Sequence, residues 1–282
     1  MEKLVVIGLG LIGGSLALDL KKREGFKVCG IDQNPEHIKK ALALGIIDEE
    51  IELSQIADAS AVIIAVPVNK IPEVTLKVLD LVSEETLVFD VGSVKNEICK
   101  SIQNHPKRKN FLAAHPLAGT EFSGPEAAIS DLFDHKVIIL CETEKCNWQL
   151  LDKSLGLFKK LNMRIKMMNP EEHDRHIAYV SHLSHVSSFM LGKTVLEIEK
   201  NEQYIFDMAS TGFASTVRLA KSSSSTWTPI FLQNKENVVR SLEEYIKNLN
   251  EFKEMIANDD EDGLNRTMNN TNYIKTILNG IK

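Results

Sequence analysis

The chain has 282 residues, 43% hydrophobic and 26% charged, with a formal net charge of -6. That length suits two domains with real cores, and the acidic balance, without a basic run, argues against an extended nucleic-acid surface. An anionic ligand would have to be drawn in by local charge in a cleft, not by the field of the whole molecule. Cys29, Cys99, Cys141 and Cys146 show neither C-x-x-C nor zinc spacing, so they are expected as free thiols in a reducing compartment. No apolar run approaches the roughly 18 residues of a membrane span, and no signal-peptide pattern opens the chain. The expectation is a cytoplasmic protein with no membrane partner.

The first half alternates short β-branched runs with stretches of helix length. Strands are expected over residues 3–7, 27–32, 61–66, 86–90, 111–115, 137–140 and 164–168. This order predicts parallel βαβ units, an α/β protein with a doubly wound sheet. Asn34-Pro35 reads as a helix cap and first turn, and Gly45 as that helix's stop. In such a sheet ligands sit outside the carboxyl ends of the strands. Gly8, Asp32, Pro67, Asp90-Val91-Gly92-Ser93 and His115-Pro116 fall at successive strand ends, which outlines one cleft.

The second half reads as helical. Asn169-Pro170-Glu171-Glu172 is a strong start, with a capping asparagine and proline in the first turn. That helix is expected to run past Met190. Shorter helices are expected over 204–209 and 213–222, a long one opened by Thr228-Pro229, and a last one over 260–278. Phe231, Val238, Tyr245 and Phe252 recur every seven residues, and Leu242, Leu249 and Ile256 follow the last three by four. Such a seam either packs inside its own domain or pairs two chains. The domain boundary is placed between Met168 and Asn169, giving domains 1–168 and 169–282.

Gly8-Leu9-Gly10-Leu11-Ile12-Gly13 matches G-x-G-x-x-G directly after a strand, and Asp32 stands nineteen residues beyond Gly13. The first glycine allows the tight turn, the second lets backbone approach a pyrophosphate, and the third lets helix pack on strand. An acid at that distance accepts from adenosine ribose hydroxyls. Gln33 and Asn34 follow Asp32 with no arginine alongside, so a 2′-phosphate finds no cation and NAD is favoured over NADP. Val66 and Pro67, after the third strand, and Ser93, after the fourth, complete the expected cofactor contacts.

At 90–95 (DVGSVK) and 115–128 (HPLAGTEFSGPEAA), with GLGLIGGS at 8–15, SHLSH at 181–185 and STGFASTVRLAKSSSSTW at 210–227, the sequence resembles the prephenate/arogenate dehydrogenase family over nearly its whole length. The resemblance implies a Rossmann-type domain followed by an all-helical dimerisation domain, hence a homodimer. It implies NAD-dependent oxidative decarboxylation of prephenate to 4-hydroxyphenylpyruvate in tyrosine biosynthesis. His115 matches the catalytic histidine that hydrogen-bonds the substrate's ring hydroxyl, and Ser93 a serine that orients that hydroxyl. Arg218 matches an arginine that holds a substrate carboxylate. His185 and His173 match histidines lining the pocket, and Thr120 and Glu121 residues near its mouth. Ala214-Ser215 and Ser222-Ser223-Ser224-Ser225 depart from the family's usual residues.

Alternatives remain. Arogenate dehydrogenase is the same chemistry on the amino analogue. A β-hydroxyacid dehydrogenase would need a lysine base in the first helix of the second domain, where this chain offers histidines, and a silent NAD-binding regulator would not need Ser93, His115 and Arg218 together. His173, His176, His182 and His185 form two H-x-x-H pairs but lack an acidic ligand at H-E-x-x-H spacing, so no metal is expected. Trp227 reads as interface packing. The segment 208–235 contains no aspartate or glutamate, which suits a keto acid and disfavours an ammonium.

Overall fold

The structure is a computed structural model and describes residues 1–200 and 204–279. It divides into two compact units, Met1–Asn234 and a second unit that begins at Lys235.

The first unit is built on an eight-stranded sheet. Its strands are β1 (Lys3–Ile7), β2 (Lys27–Ile31), β3 (Glu49–Glu50), β4 (Ala61–Ile64), β5 (Leu87–Asp90), β6 (Phe111–Pro116), β7 (Val137–Cys141) and β8 (Arg164–Met168). They lie in the order β3-β2-β1-β4-β5-β6-β7-β8. Helices α1 (Leu11–Glu24), α2 (Pro35–Ala43), α3 (Ile71–Leu81), α4 (Asn96–Ser101) and α5 (Trp148–Lys160) make the crossovers. Because helices cover both faces, the central strands read as nearly continuous apolar runs, β4 at every position. Leu4 and Val6 of β1 pack with Leu16 and Leu20 of α1 and Phe158 of α5, whereas Val5 and Ile7 pack with Val78 and Leu79 of α3 and Ile98 of α4. This is the two-residue period of a strand buried on both sides.

Two strands depart from the expected parallel order, β7 and the β8 that runs parallel to it. β7 runs antiparallel to β6, pairing His115 with Ile139 and Pro116 with Ile138. Between them lies no crossover helix, only a loop with one helical turn at Pro125–Ala127. A parallel neighbour needs a crossover that brings the chain back to its starting edge; this loop does not supply one.

Four more helices finish the first unit: α6 (Pro170–Ile177), α7 (Leu183–Glu199), α8 (Thr211–Thr216) and α9 (Ser224–Gln233). Asn169 caps α6, its side chain accepting from the N–H groups of Glu171 and Glu172. A π-helical turn, Ala178–His182, joins α6 to α7. The first compact unit runs on to Asn234. The reason is packing: Ile230 and Trp227 of α9 join the apolar cluster on one sheet face, and Gln233 donates to the Val68 carbonyl at 3.2 Å.

The helix expected from Thr228-Pro229 begins earlier, with Pro229 inside α9. In the second unit, α10 (Lys235–Ala257) starts afresh, followed by α11 (Glu261–Thr271) and α12 (Ile274–Leu278), so the single last helix expected is two. The seven-residue seam is interrupted, since Phe231 belongs to α9 and its other members to α10. Leu249 and Ile256 of that seam are exposed. Asp260 caps α11, accepting from the Gly263 N–H at 2.9 Å. Among the described residues no helix is long and apolar enough to cross a membrane.

Candidate active site

β1, β2, β4, β5 and β6 run parallel, so their carboxyl ends share one edge. Gly8 has φ 95°, and a Cβ there would stand 2.5 Å from the Ala65 carbonyl oxygen. A Cβ on Gly13 would stand 2.0 Å from the Gly8 oxygen. At Gly10 nothing lies within 4 Å of a Cβ. The first and third glycines are thus consumed by packing, and the second faces open space beside the start of α1. Leu9 and Leu11 are buried, and Ile12 is half-buried against the sheet core. Asp32 follows β2; its carboxylate accepts the Leu9 and Asn34 N–H groups, each at 2.9 Å. His37 Nδ1 lies 3.3 Å from the same group. Val66 is half-buried and Pro67 exposed where the chain leaves β4.

The β5 end divides its residues between structure and chemistry. Asp90, expected on the rim, is fully buried and ion-paired with the fully buried Lys95. Lys95 Nζ also donates to the Ala114 carbonyl at 2.8 Å, and Asp90 accepts the Gly92 N–H at 2.9 Å. Burial raises Asp90, and Lys95 opposes that shift. This pair locks the ends of β5 and β6 together. Ser93 Oγ, by contrast, is sealed from solvent and has no hydrogen-bond partner among the described residues. A buried hydroxyl without a partner is costly.

His115 ends β6 and is buried. Its Nδ1 lies 2.8 Å from His173 Nε2, and His173 Nδ1 lies 2.7 Å from Asp174 Oδ1. Burial, then the neighbouring His173, Lys95 and His182, holds His115 well below the usual histidine range. It is therefore a neutral base at neutral pH. His173 is 2% exposed, with both ring nitrogens engaged inside the protein.

Arg218 opens a helical turn, Arg218–Lys221, after α8. Buried Ser188 of α7 brackets it, donating to the Thr216 carbonyl at 3.1 Å and accepting the Ala220 N–H at 3.2 Å. The guanidinium is half exposed and meets Glu121 Oε2 at 3.3 Å. Thr120, exposed in the loop that leaves β6, accepts the Phe122 N–H at 3.3 Å. His185 donates from Nδ1 to the Ser181 carbonyl at 3.0 Å, and its ring stacks on Trp227 with centroids 3.4 Å apart. Burial lowers the pKa of His185, the Ser181 carbonyl opposes this, and Arg218 adds to the lowering. Among the described residues no three His, Cys, Asp or Glu side chains converge as a metal site.

Two family models divide the chain. The prephenate dehydrogenase nucleotide-binding domain matches residues 16–167, and the prephenate dehydrogenase dimerization domain matches residues 169–270. The chain belongs to the prephenate dehydrogenase family. It is 33% identical to prephenate dehydrogenase of Bacillus subtilis over 98% of this chain and 74% of that protein. The structure of prephenate dehydrogenase from A. aeolicus with hydroxyphenyl propionate and NAD+ superposes with a TM-score of 0.90 at 34% identity, covering 99% of this chain and 98% of that one. Synechocystis arogenate dehydrogenase gives 0.78 at 28% identity, covering 98% and 99%.

Asp174 escaped the sequence reading, and Lys95 and His182 were named there without a role in the site. Lys95 lay inside a quoted motif, and its burial carries no local signal. His182 is fully buried in the π turn, edge-on to Trp227, and burial takes its pKa down to about 4. A π turn inserted in a helix is frequently found at a functional site.

Proposed function

We propose that this chain catalyses the NAD-dependent oxidative decarboxylation of prephenate, with His115 as base. The observation that carries this reading is a neutral, buried histidine at the end of β6, on the strand next to the one that delivers the unpartnered Ser93 hydroxyl. The open space at Gly10 and the carboxylate of Asp32 fit a dinucleotide: the turn at Gly8, Gly10 and Gly13 takes the pyrophosphate, and Asp32 the ribose hydroxyls. Leu9, Leu11 and Ile12 shape the turn, and Val66, Pro67 and Ser93 border the route toward the nicotinamide. No lysine or arginine pairs with Asp32 among the described residues, which supports NAD over NADP.

When held by the Gly8–Gly13 turn and Asp32, NAD would supply the acceptor for the hydride lost from C4 of the substrate ring. His115 takes the C4 hydroxyl proton, with Ser93 orienting that hydroxyl. When CO₂ leaves C1, the electrons of the broken bond enter the ring and make it aromatic. The C4 oxygen becomes a phenolate, and His115 returns the proton to it. Arg218 holds one substrate carboxylate, because a planar guanidinium meets a carboxylate with two parallel bonds. Thr120, Glu121 and His185 border the same region.

Prephenate is favoured over arogenate because residues 208–235, which carry Arg218, contain no aspartate or glutamate to receive an ammonium. The domains are 1–168 and 169–282, and the active form is a cytoplasmic homodimer. Exposed Val180, Met190 and Leu196 on the α6–α7 stretch, and separately Ile246, Leu249 and Ile256 on α10, are apolar surface that a second copy would cover. The test is NADH formation with prephenate or arogenate, each with NAD or NADP, at one pH and ionic strength. Prephenate with NAD should give the highest kcat/KM. A tenfold preference for arogenate would transfer the assignment to the amino substrate and give Glu121 the ammonium.

A further inference from the structure

A histidine can serve as a base through only one of its nitrogens at a time, so the position of its single proton decides whether the lone pair faces the substrate. In this protein a chain of buried contacts sets that position. Asp174 stands on α6 and is 2% exposed. Its Oδ1 accepts the Lys95 N–H at 2.8 Å and its Oδ2 the Asn96 N–H at 2.9 Å. A carboxylate engaged in this way only accepts, so the His173 Nδ1 that lies 2.7 Å from Oδ1 carries a proton. A single proton on that ring, at Nδ1, leaves His173 Nε2 as an acceptor. The contact at 2.8 Å to His115 Nδ1 then requires the proton on His115 Nδ1.

We propose that Asp174, acting through His173, is a positioning residue that fixes His115 as its Nδ1–H tautomer and leaves Nε2 as the basic nitrogen. The inference rests on the reading of His115 as the base and adds what makes it one. The same carboxylate grips the backbone just after Ser93, so one side chain sets both the register of the Ser93 turn and the protonation pattern of His115. The chain also has a role during turnover. When Nε2 gains the substrate proton, the imidazolium keeps donating from Nδ1 to His173, and the Asp174 charge stabilises it across two rings. This is the logic by which a buried carboxylate orients a catalytic histidine in other enzymes, here lengthened by one imidazole.

The decisive measurement is the nitrogen-15 NMR spectrum of the histidine-labelled full chain with NAD bound, at a pH where His115 is neutral. In the wild type, His115 should show a protonated Nδ1 and an unprotonated Nε2. Asp174→Asn can present an N–H to His173, which reverses both bonds and should move the His115 proton to Nε2. His173→Gln can still accept from His115 and donate to Asp174, so it should keep the wild-type tautomer and hold kcat within about tenfold. His173→Leu should lose the tautomer and lower kcat by roughly 10²–10⁴ with KM for prephenate little changed. A merely structural role would leave the tautomer unmoved in every folded variant. A wild-type His115 protonated at Nε2, or equal kcat losses in His173→Gln and His173→Leu, would overturn the proposal even if Asp174→Asn does not fold. The tautomer is read without turnover, so its failure is distinguishable from failure of the assigned reaction.

Discussion

The glycine turn offers a test in which fold and ligand binding separate. Gly10→Ala and Gly13→Ala add the same methyl group three residues apart. At Gly13 the new carbon would meet the Gly8 oxygen at 2.0 Å and Ala65 Cβ at 2.9 Å. The first obstacle is backbone, so α1 must move off β1. Overpacking of this kind costs about 1–3 kcal/mol, and each kcal/mol lowers Tm by roughly 2–4 °C in a domain of this size class. At Gly10 the φ of -75° suits alanine and nothing obstructs the methyl. Losing glycine at that helix cap costs under about 1 kcal/mol. The methyl would instead occupy the space where a pyrophosphate approaches the backbone. Displacing one charge-assisted N–H bond costs about 1.5–3 kcal/mol, which is about a tenfold to hundredfold loss of NAD affinity. Thermal melting of the free proteins and calorimetric titration with NAD read the two quantities. Gly10→Ala should melt near the wild type and bind NAD poorly, and Gly13→Ala should melt several degrees lower. A Gly10→Ala protein with wild-type NAD affinity would refute the placement of the cofactor on this turn.

Three further outcomes follow from named groups. His115→Asn should lower kcat by roughly 10²–10⁴ with NAD affinity little changed; near-normal turnover in a pH–rate profile would remove His115 from the mechanism. Arg218→Gln should raise KM for prephenate by an amount worth about 1.5–3 kcal/mol, and an unchanged KM would reduce Arg218 to a surface partner of Glu121. His182, lowered from 6.5 to about 4 by burial, should make the fold acid-sensitive. The unfolded chain takes up that proton below about pH 6.5 while the native protein resists it, so stability is full above that pH and falls as pH drops from there to about 4. From about pH 7 to about pH 5 the loss assigned to this one group is about 2 kcal/mol. Urea unfolding at both pH values should show a smaller loss for His182→Asn, and an identical loss would clear His182 of the effect.

Most of the sheet was legible because its signals are local. Residues 3–7 and 164–168 are strands to the residue, and each glycine of G-x-G-x-x-G announces its task through spacing alone. The direction of β7 was not legible from its own residues, since Val137–Cys141 reads the same forwards or backwards. The clue lay in the 117–136 segment, where Gly119, Gly124 and Pro125 interrupt any helical period. The extent of the first compact unit was hidden for another reason. Periodicity reveals that a helix has an apolar face, and it does not reveal that Trp227 and Ile230 face the sheet. The seam on α10 looked longer than it is because Phe231 continues the count across the break at Asn234.

The site itself was half visible, and the dividing line is sequence distance. Ser93, His115 and Arg218 stand in recognisable runs. The group proposed to align His115 does not: Asp174 reaches the Lys95 backbone across 79 positions and the Asn96 backbone across 78, and no pattern in α6 marks it. Electrostatics joins the two halves. A protein of net charge -6 must hold a dianionic substrate without protonating its own base. Each cation near the site is matched by a carboxylate, Lys95 by Asp90 inside the sheet and Arg218 by Glu121 at the mouth. The two pairs differ in exposure, and that difference assigns their roles. Lys95 is sealed, so its charge remains committed to Asp90 and to the strand ends that carry His115. Arg218 is half exposed, so a substrate carboxylate can compete with Glu121 for it at little desolvation cost, whereas the same exchange at Lys95 would strip a buried charge of its partner and cost several kcal/mol.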